Sequence, residues 1–170
     1  MKINELFLEE LKRDAALSRR VLERVPEGHN LWRPHEKSMP LGYLSALVAT
    51  MPAWIDMIVN SNQFDIAQKN TEYSPKDIQT SSGLVALLDG SVEKARKALE
   101  STTDEHLLKP WKLLAHGHLV KETPRHVQIR DGVLSHLAHH RGQLTVYLRL
   151  NEATVPGIYG PSADEPFVPK

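Results

Sequence analysis

From Pro124 to Leu150 the chain keeps a helical period without a break, and two histidines stand inside its apolar stripe. Ile129, Val133, His136, Leu137, His140, Leu144, Tyr147 and Leu148 fall on one face at about 100° per residue. Only Gly132 and Gly142 weaken the pattern. Thr123 is placed to cap the helix, and Pro124 suits its first position, where a missing N–H costs little. A helix with one apolar face needs other elements to cover that face. An imidazole on it needs a polar partner, because burying a bare polar ring is unfavourable.

Three further segments have the same character. The first runs from about Asn4 to Val25, with apolar residues at Ile3, Phe7, Leu11, Leu17, Val21 and Val25. Asp14 interrupts that stripe, and Pro26 and Gly28 stop the helix. The second runs from about Met39 to Asn60, with Ser38 as N-cap, Pro40 in the first turn and Pro52 as a kink. Its stripe is Leu44, Leu47, Val48, Met51, Trp54, Ile55 and Ile58. The third runs from about Ser82 to Ser101, capped by Ser81 or Ser82, with Leu84, Leu87, Leu88, Val92, Ala95 and Leu99 on one side. Four amphipathic helices bury their stripes most simply against each other. The expected fold is therefore all-α, a four-helix bundle forming one domain over residues 1–170. Its loops are longer than a plain hairpin needs, which points to crossover connections. The segment WKLLAHGHLVKETPR reads either as a hairpin about Gly117 or as an irregular loop. The tail VPGIYGPSADEPFVPK is rich in Pro and Gly and is expected to fold back over the bundle end.

Composition narrows the function. Lys+Arg and Asp+Glu both number 21, so the formal net charge is zero. A nucleic-acid partner, which needs cationic excess, is not expected. No cysteine is present, which removes disulfides, thiolate metal sites and cysteine nucleophiles. The N-terminus is charged and amphipathic, unlike a signal peptide. The apolar stretch from Leu41 to Val59 contains Pro52 and Asp56 and is periodic, so no membrane span is expected. The expected location is the cytoplasm.

Histidine is the over-represented residue, with nine of 170. His136 and His140, four apart, lie on one helical face about one turn apart and can share an ion. Neutral imidazole suits Zn, Ni, Fe and Cu. The competing reading is two core histidines satisfied by hydrogen bonds. His139 sits about 60° from His136, away from the stripe, and reads as exposed or hydrogen-bonded. His126 lies about 15 Å before His136 along the helix, too far to share its ion. His35, His116 and His118 fall in loops. Gln143 projects near the His136 direction and can hydrogen-bond a ligand. Arg141 points elsewhere and reads as the partner of a carboxylate on another helix or subunit. There is no glycine-rich phosphate loop, no H-E-x-x-H and no nucleophile elbow, so no catalytic residue is assigned.

Two segments, PHEKSMPLGYLSALVATMPAW and LSHLAHHRGQLTVYLRLNEATVPGIYGPSADE, resemble the DinB/YfiT-like superfamily of four-helix-bundle metalloproteins. The residues from Trp111 to Arg125 are similar to the connection that superfamily has before its last helix. The resemblance implies three histidine ligands, one from the second helix and two from the last. The latter two match His136 and His140. The first falls at Leu47, which cannot coordinate a metal. The resemblance also implies a divalent transition metal, Zn or Ni first, and a homodimer.

Three protein ligands and a water make an open, catalytic type of site. Two histidines alone hold a divalent ion weakly. Two alternatives follow. In one, a loop residue such as His35 or His118 supplies the third bond. The chain is then a metal-dependent hydrolase or thiol-dependent transferase acting on a small molecule. In the other, the site is degenerate and the chain is a small-molecule-binding or stress-associated bundle without turnover.

Overall fold

The computed structural model describes residues 2–67 and 77–167. Four helical rods form the body. The first is α1 (Ile3–Leu22). The second is α2 (Leu41–Thr50), a short 3₁₀ turn over Met51–Ala53, and α3 (Trp54–Asn60). The third is α4 (Ser81–Ser101). A short helix, α5 (Asp104–Leu108), and a hairpin of β2 (Pro110–Ala115) and β3 (His118–Pro124) lead to the fourth rod. That rod comprises α6 (Arg125–Ile129), a wide π-turn over Arg130–Ser135, and α7 (His136–Leu150).

The expectation of a purely helical fold is corrected here. A three-stranded sheet stands beside the bundle, with β1 (Gln63–Asp65) parallel to β2 and β2 antiparallel to β3. Of the two readings of Trp111–Arg125, the hairpin holds. Its turn is tight because His116 and Gly117 both take positive φ, +50° and +78°. Asp65 on the neighbouring strand accepts hydrogen bonds from the backbone N–H groups of both, at 3.1 and 2.7 Å. A carboxylate bound by backbone amides is held below its ordinary range, and the N–H of Ala67 first, then those of Gly117 and His116, lower the pKa of Asp65.

Several boundaries also move. The first rod stops at Leu22, three residues short of Val25. The second begins at Leu41, so Pro40 rather than Ser38 is the capping position. Pro52 breaks this rod into two helices, because a proline cannot donate to the turn before it. Thr80 caps the third rod, its hydroxyl accepting from the Gly83 N–H at 3.1 Å. Thr123 and Pro124 end β3, and helix begins at Arg125.

In cross-section α1 packs against α4 and α7, while the α2–α3 rod packs against α4 and the fourth rod. Rods consecutive in sequence are thus diagonal at two places, before α2 and before the fourth rod. Both connections cross the bundle, as the loop lengths predicted. The connection before α4 lies partly outside the described residues. Leu41–Asn60 is apolar enough by composition to cross a membrane, but 78% of its most apolar window is buried inside the molecule, as a central bundle helix requires.

Arg125 fixes the sheet to the helices. It is buried, and its guanidinium donates to the carbonyls of Ile58, Ser61 and Pro110 at 2.9–3.1 Å and to Asn62 Oδ1 at 2.8 Å. Burial without a carboxylate partner lowers its pKa. The result is a wall formed by α3, β1, β2 and α6, which bounds the site described next.

Candidate functional site

A cavity of about 490 Å³ opens between the α2–α3 rod, the sheet and the fourth rod. Tyr43 and Leu47 reach it from α2, Trp54 from α3, Phe64 from β1, Trp111 from β2 and His136 from the start of α7. Gln128 and Gly132 line it from the segment just before His136.

The π-turn decides how that last segment meets the cavity. A π-turn takes in an extra residue, so it offsets a straight helical wheel by about 100°. Val133 and Leu134 are therefore both buried, as are Leu137, His140, Arg141 and Leu144 beyond it. The single apolar face drawn from the sequence is really a broad surface, covered on one side by α2 and on another by α1.

His136 is half-buried and His140 is 7% exposed. Their Nε2 atoms lie 2.8 Å apart, within hydrogen-bond distance. His140 Nδ1–H donates to Gln143 Oε1 at 2.8 Å. That bond places the His140 proton on Nδ1, so its Nε2 accepts from the Nε2–H of His136. Burial is the main cause of a lowered pKa at His140. The nearby His136 and His139 act in the same direction, and the Gln143 hydrogen bond opposes them. One hydrogen bond joins the two rings through their Nε2 atoms.

Of the other histidines, His118, expected in a loop, is instead the first residue of β3. His139 is exposed on the far side of His140, with ring centroids 5.0 Å apart. His126 Nδ1 hydrogen-bonds the Leu107 carbonyl at 3.2 Å. His35 Nδ1 accepts from the Lys37 N–H at 3.1 Å. His118 is exposed on β3. Neither His35 nor His118 lines the cavity. Among the described residues, no group of three or more His, Asp or Glu side chains could hold a metal ion.

The donor set thus tests the metal that the resemblance implied. Two imidazoles on one tetrahedral zinc at about 2.0–2.1 Å would hold their nitrogens roughly 3.3 Å apart, a small widening from the observed contact. Gln143 on the outer nitrogen is the kind of partner that orients a metal-binding histidine. The third corner is the aliphatic side chain of Leu47, which is 7% exposed and lines the same cavity as His136. The residues present do not complete a three-ligand centre.

One feature of the surrounding architecture escaped the sequence. Asp14, which broke the stripe of α1, is buried and pairs with Arg141 at 2.8 Å. Arg141 is 1% exposed and also donates to Ser18 Oγ and the Asp14 carbonyl, both at 3.1 Å, and to the Tyr159 hydroxyl. The interrupting acid and the arginine beside His140 were each visible in the sequence, but nothing joined them. The tail folds back over the bundle end as expected. Glu165 pairs with Arg20 and Arg24 of the first rod, and Asp164 with Arg149 of α7. Those arginines hold both carboxyl groups below their ordinary range.

Fold and site together define a helical bundle with a small side sheet, enclosing an apolar cavity walled on one side by an imidazole pair. The chain belongs to the DinB family, whose pattern matches residues 1–167. It is similar to the crystal structure of a DinB-like protein from Bacillus cereus ATCC 10987, with a TM-score of 0.71 and 18% identity over 91% of this chain and 97% of that one. A DinB-like protein (YjoA) from Bacillus subtilis is similar at a TM-score of 0.65 and 19% identity, over 94% of this chain and 98% of that one. The uncharacterized protein YrdA of Bacillus subtilis (strain 168) is 54% identical over 33 residues, which is 19% of this chain and 20% of YrdA.

Proposed function

We propose that this chain is a small-molecule-binding DinB-family bundle whose metal centre has lost its third ligand. One observation carries this reading: Leu47 stands with His136 on the wall of the same cavity, where a third imidazole would be needed. The cavity has the size and apolar lining of a ligand pocket. The hydrogen bond between the two Nε2 atoms satisfies both converging nitrogens without an ion.

A second reading has its own support. The convergence of two Nε2 atoms at 2.8 Å, with Gln143 bound to the outer nitrogen of His140, favours a divalent ion, Zn or Ni, held weakly by His136 and His140. A metal-dependent hydrolase or thiol-dependent transferase activity would rest on that ion. Homodimerisation belongs with this proposal as an expectation to be measured by sedimentation.

Metal analysis of protein purified without an affinity tag separates the two. The binding reading expects less than stoichiometric metal, a melting temperature unmoved by chelator, and tight zinc binding gained in Leu47→His. Zinc at about a hundredfold over its dissociation constant would then stabilise that variant by about 2.7 kcal/mol. Stoichiometric metal in the unaltered chain, lost on His136→Ala or His140→Ala, would overturn the binding reading in favour of the second.

A further inference from the structure

The lining of the cavity, on the binding reading above, also indicates the chemical class of its ligand. Among the described residues that line it there is no Asp, Glu, Lys or Arg. A charged group entering would leave its water and meet no Asp, Glu, Lys or Arg side chain among the described residues, which is unfavourable in an apolar enclosure. Flat aromatic surface is plentiful, from Trp54, Trp111 and Phe64. Trp111 directs its own N–H out of the problem, donating to Ser61 Oγ at 3.2 Å, so it contributes a ring and no polar demand.

Beside Tyr43 and His136, Gln128 brings a polar side chain to the lining. Its side chain is half-buried and lines the cavity, yet its amide has no hydrogen-bond partner among the described residues. Its position depends on the glycine one turn later. A Cβ at Gly132 would lie 2.3 Å from Gln128 Nε2 and 3.0 Å from its Cδ, so only glycine leaves room for the amide to lie against the π-turn. An amide held in this way offers two N–H donors and a carbonyl acceptor to whatever enters, and no charge.

We propose that the cavity takes an uncharged, predominantly aromatic small molecule that hydrogen-bonds the Gln128 amide. The aromatic walls supply most of the affinity. The amide selects molecules with a neutral N–H, O–H or carbonyl at one edge, and the missing counter-charge excludes acids and bases of similar shape.

Two fluorescent probes that share one skeleton test this directly on the unaltered chain. N-phenyl-1-naphthylamine is uncharged and carries an N–H. 1-Anilinonaphthalene-8-sulfonate is the same skeleton with an anionic group. The expected result is at least tenfold tighter binding of the uncharged probe. Gln128→Leu, a substitution of an unpartnered side chain by one of similar size, should weaken that probe about three- to tenfold, the range of one net hydrogen bond. 1-Phenylnaphthalene, which lacks the N–H, should bind the unaltered and Gln128→Leu chains equally. If Gln128→Leu does not fold, weaker binding of 1-phenylnaphthalene than of the naphthylamine to the unaltered chain carries the same test. Equal or tighter binding of the sulfonate overturns the uncharged class while the pocket reading stands. An effect of Gln128→Leu on neither naphthyl probe overturns the role of the amide. Failure of all three probes to bind overturns the pocket reading itself.

Discussion

Asp14→Ala should destabilise the fold by about 3 kcal/mol, because it leaves a guanidinium buried without its counter-ion. Arg141 is 1% exposed and Asp14 is 4% exposed, so water cannot enter to solvate the orphaned charge without local opening. The substitution deletes the 2.8 Å charge-assisted bond but keeps three others: to Ser18, to the residue-14 carbonyl and to Tyr159. These survivors place the loss at the lower end of the range for breaking a buried pair. With a urea m-value near 2 kcal/mol/M, the unfolding midpoint should fall by about 1.5 M. In a chain of this size the melting temperature should fall by about 6–12 °C. The double variant Asp14→Leu with Arg141→Met removes both charges together and should recover most of the stability, since a buried pair exchanged for apolar residues is often neutral. Urea titrations followed by circular dichroism measure all three chains. A loss below about 1 kcal/mol in Asp14→Ala, the range of an exposed pair, would refute the reasoning. So would a double variant as unstable as the single one.

Further expectations concern the site and the tail. Gly132→Ala should drive the Gln128 side chain off the π-turn and weaken binding of N-phenyl-1-naphthylamine, while melting temperature changes little; unchanged binding would contradict the close approach. Burial holds the folded-state pKa of His140 below 6.5. The unfolded chain therefore takes up that proton first, and stability is complete above the ordinary imidazole range and lost as pH falls through it. Melting curves between about pH 7.5 and 5.5 should be less steep in pH for His140→Gln than for the unaltered chain, and identical slopes would sink this assignment. Glu165→Ala should release the tail from Arg20 and Arg24 and speed proteolysis after Tyr159. A cleavage rate equal to that of the unaltered chain would show that the clamp rests on other contacts.

The periodic stripes of four segments and the i, i+4 spacing of His136 and His140 were legible in the amino-acid order, because helical period is local. The same local logic placed Arg141 off the histidine face, while the departure at Leu47 came from the family resemblance. What needed the folded chain is non-local. The parallel pairing of β1 with β2 joins residues about fifty positions apart, and no short-range signal encodes it. The π-turn before His136 is a register shift that a straight wheel cannot anticipate, and it turned one predicted face into two buried ones. Asp14 looked like a flaw in its stripe until α7 brought Arg141 against it. The cavity itself exists only where α2, α3, the sheet and the fourth rod meet, and its lining comes from residues of every one of them. Sequence settles which side chains are available on each element. Packing alone decides which of them face the same few hundred cubic ångströms, because burial is a property of neighbours brought together across the chain.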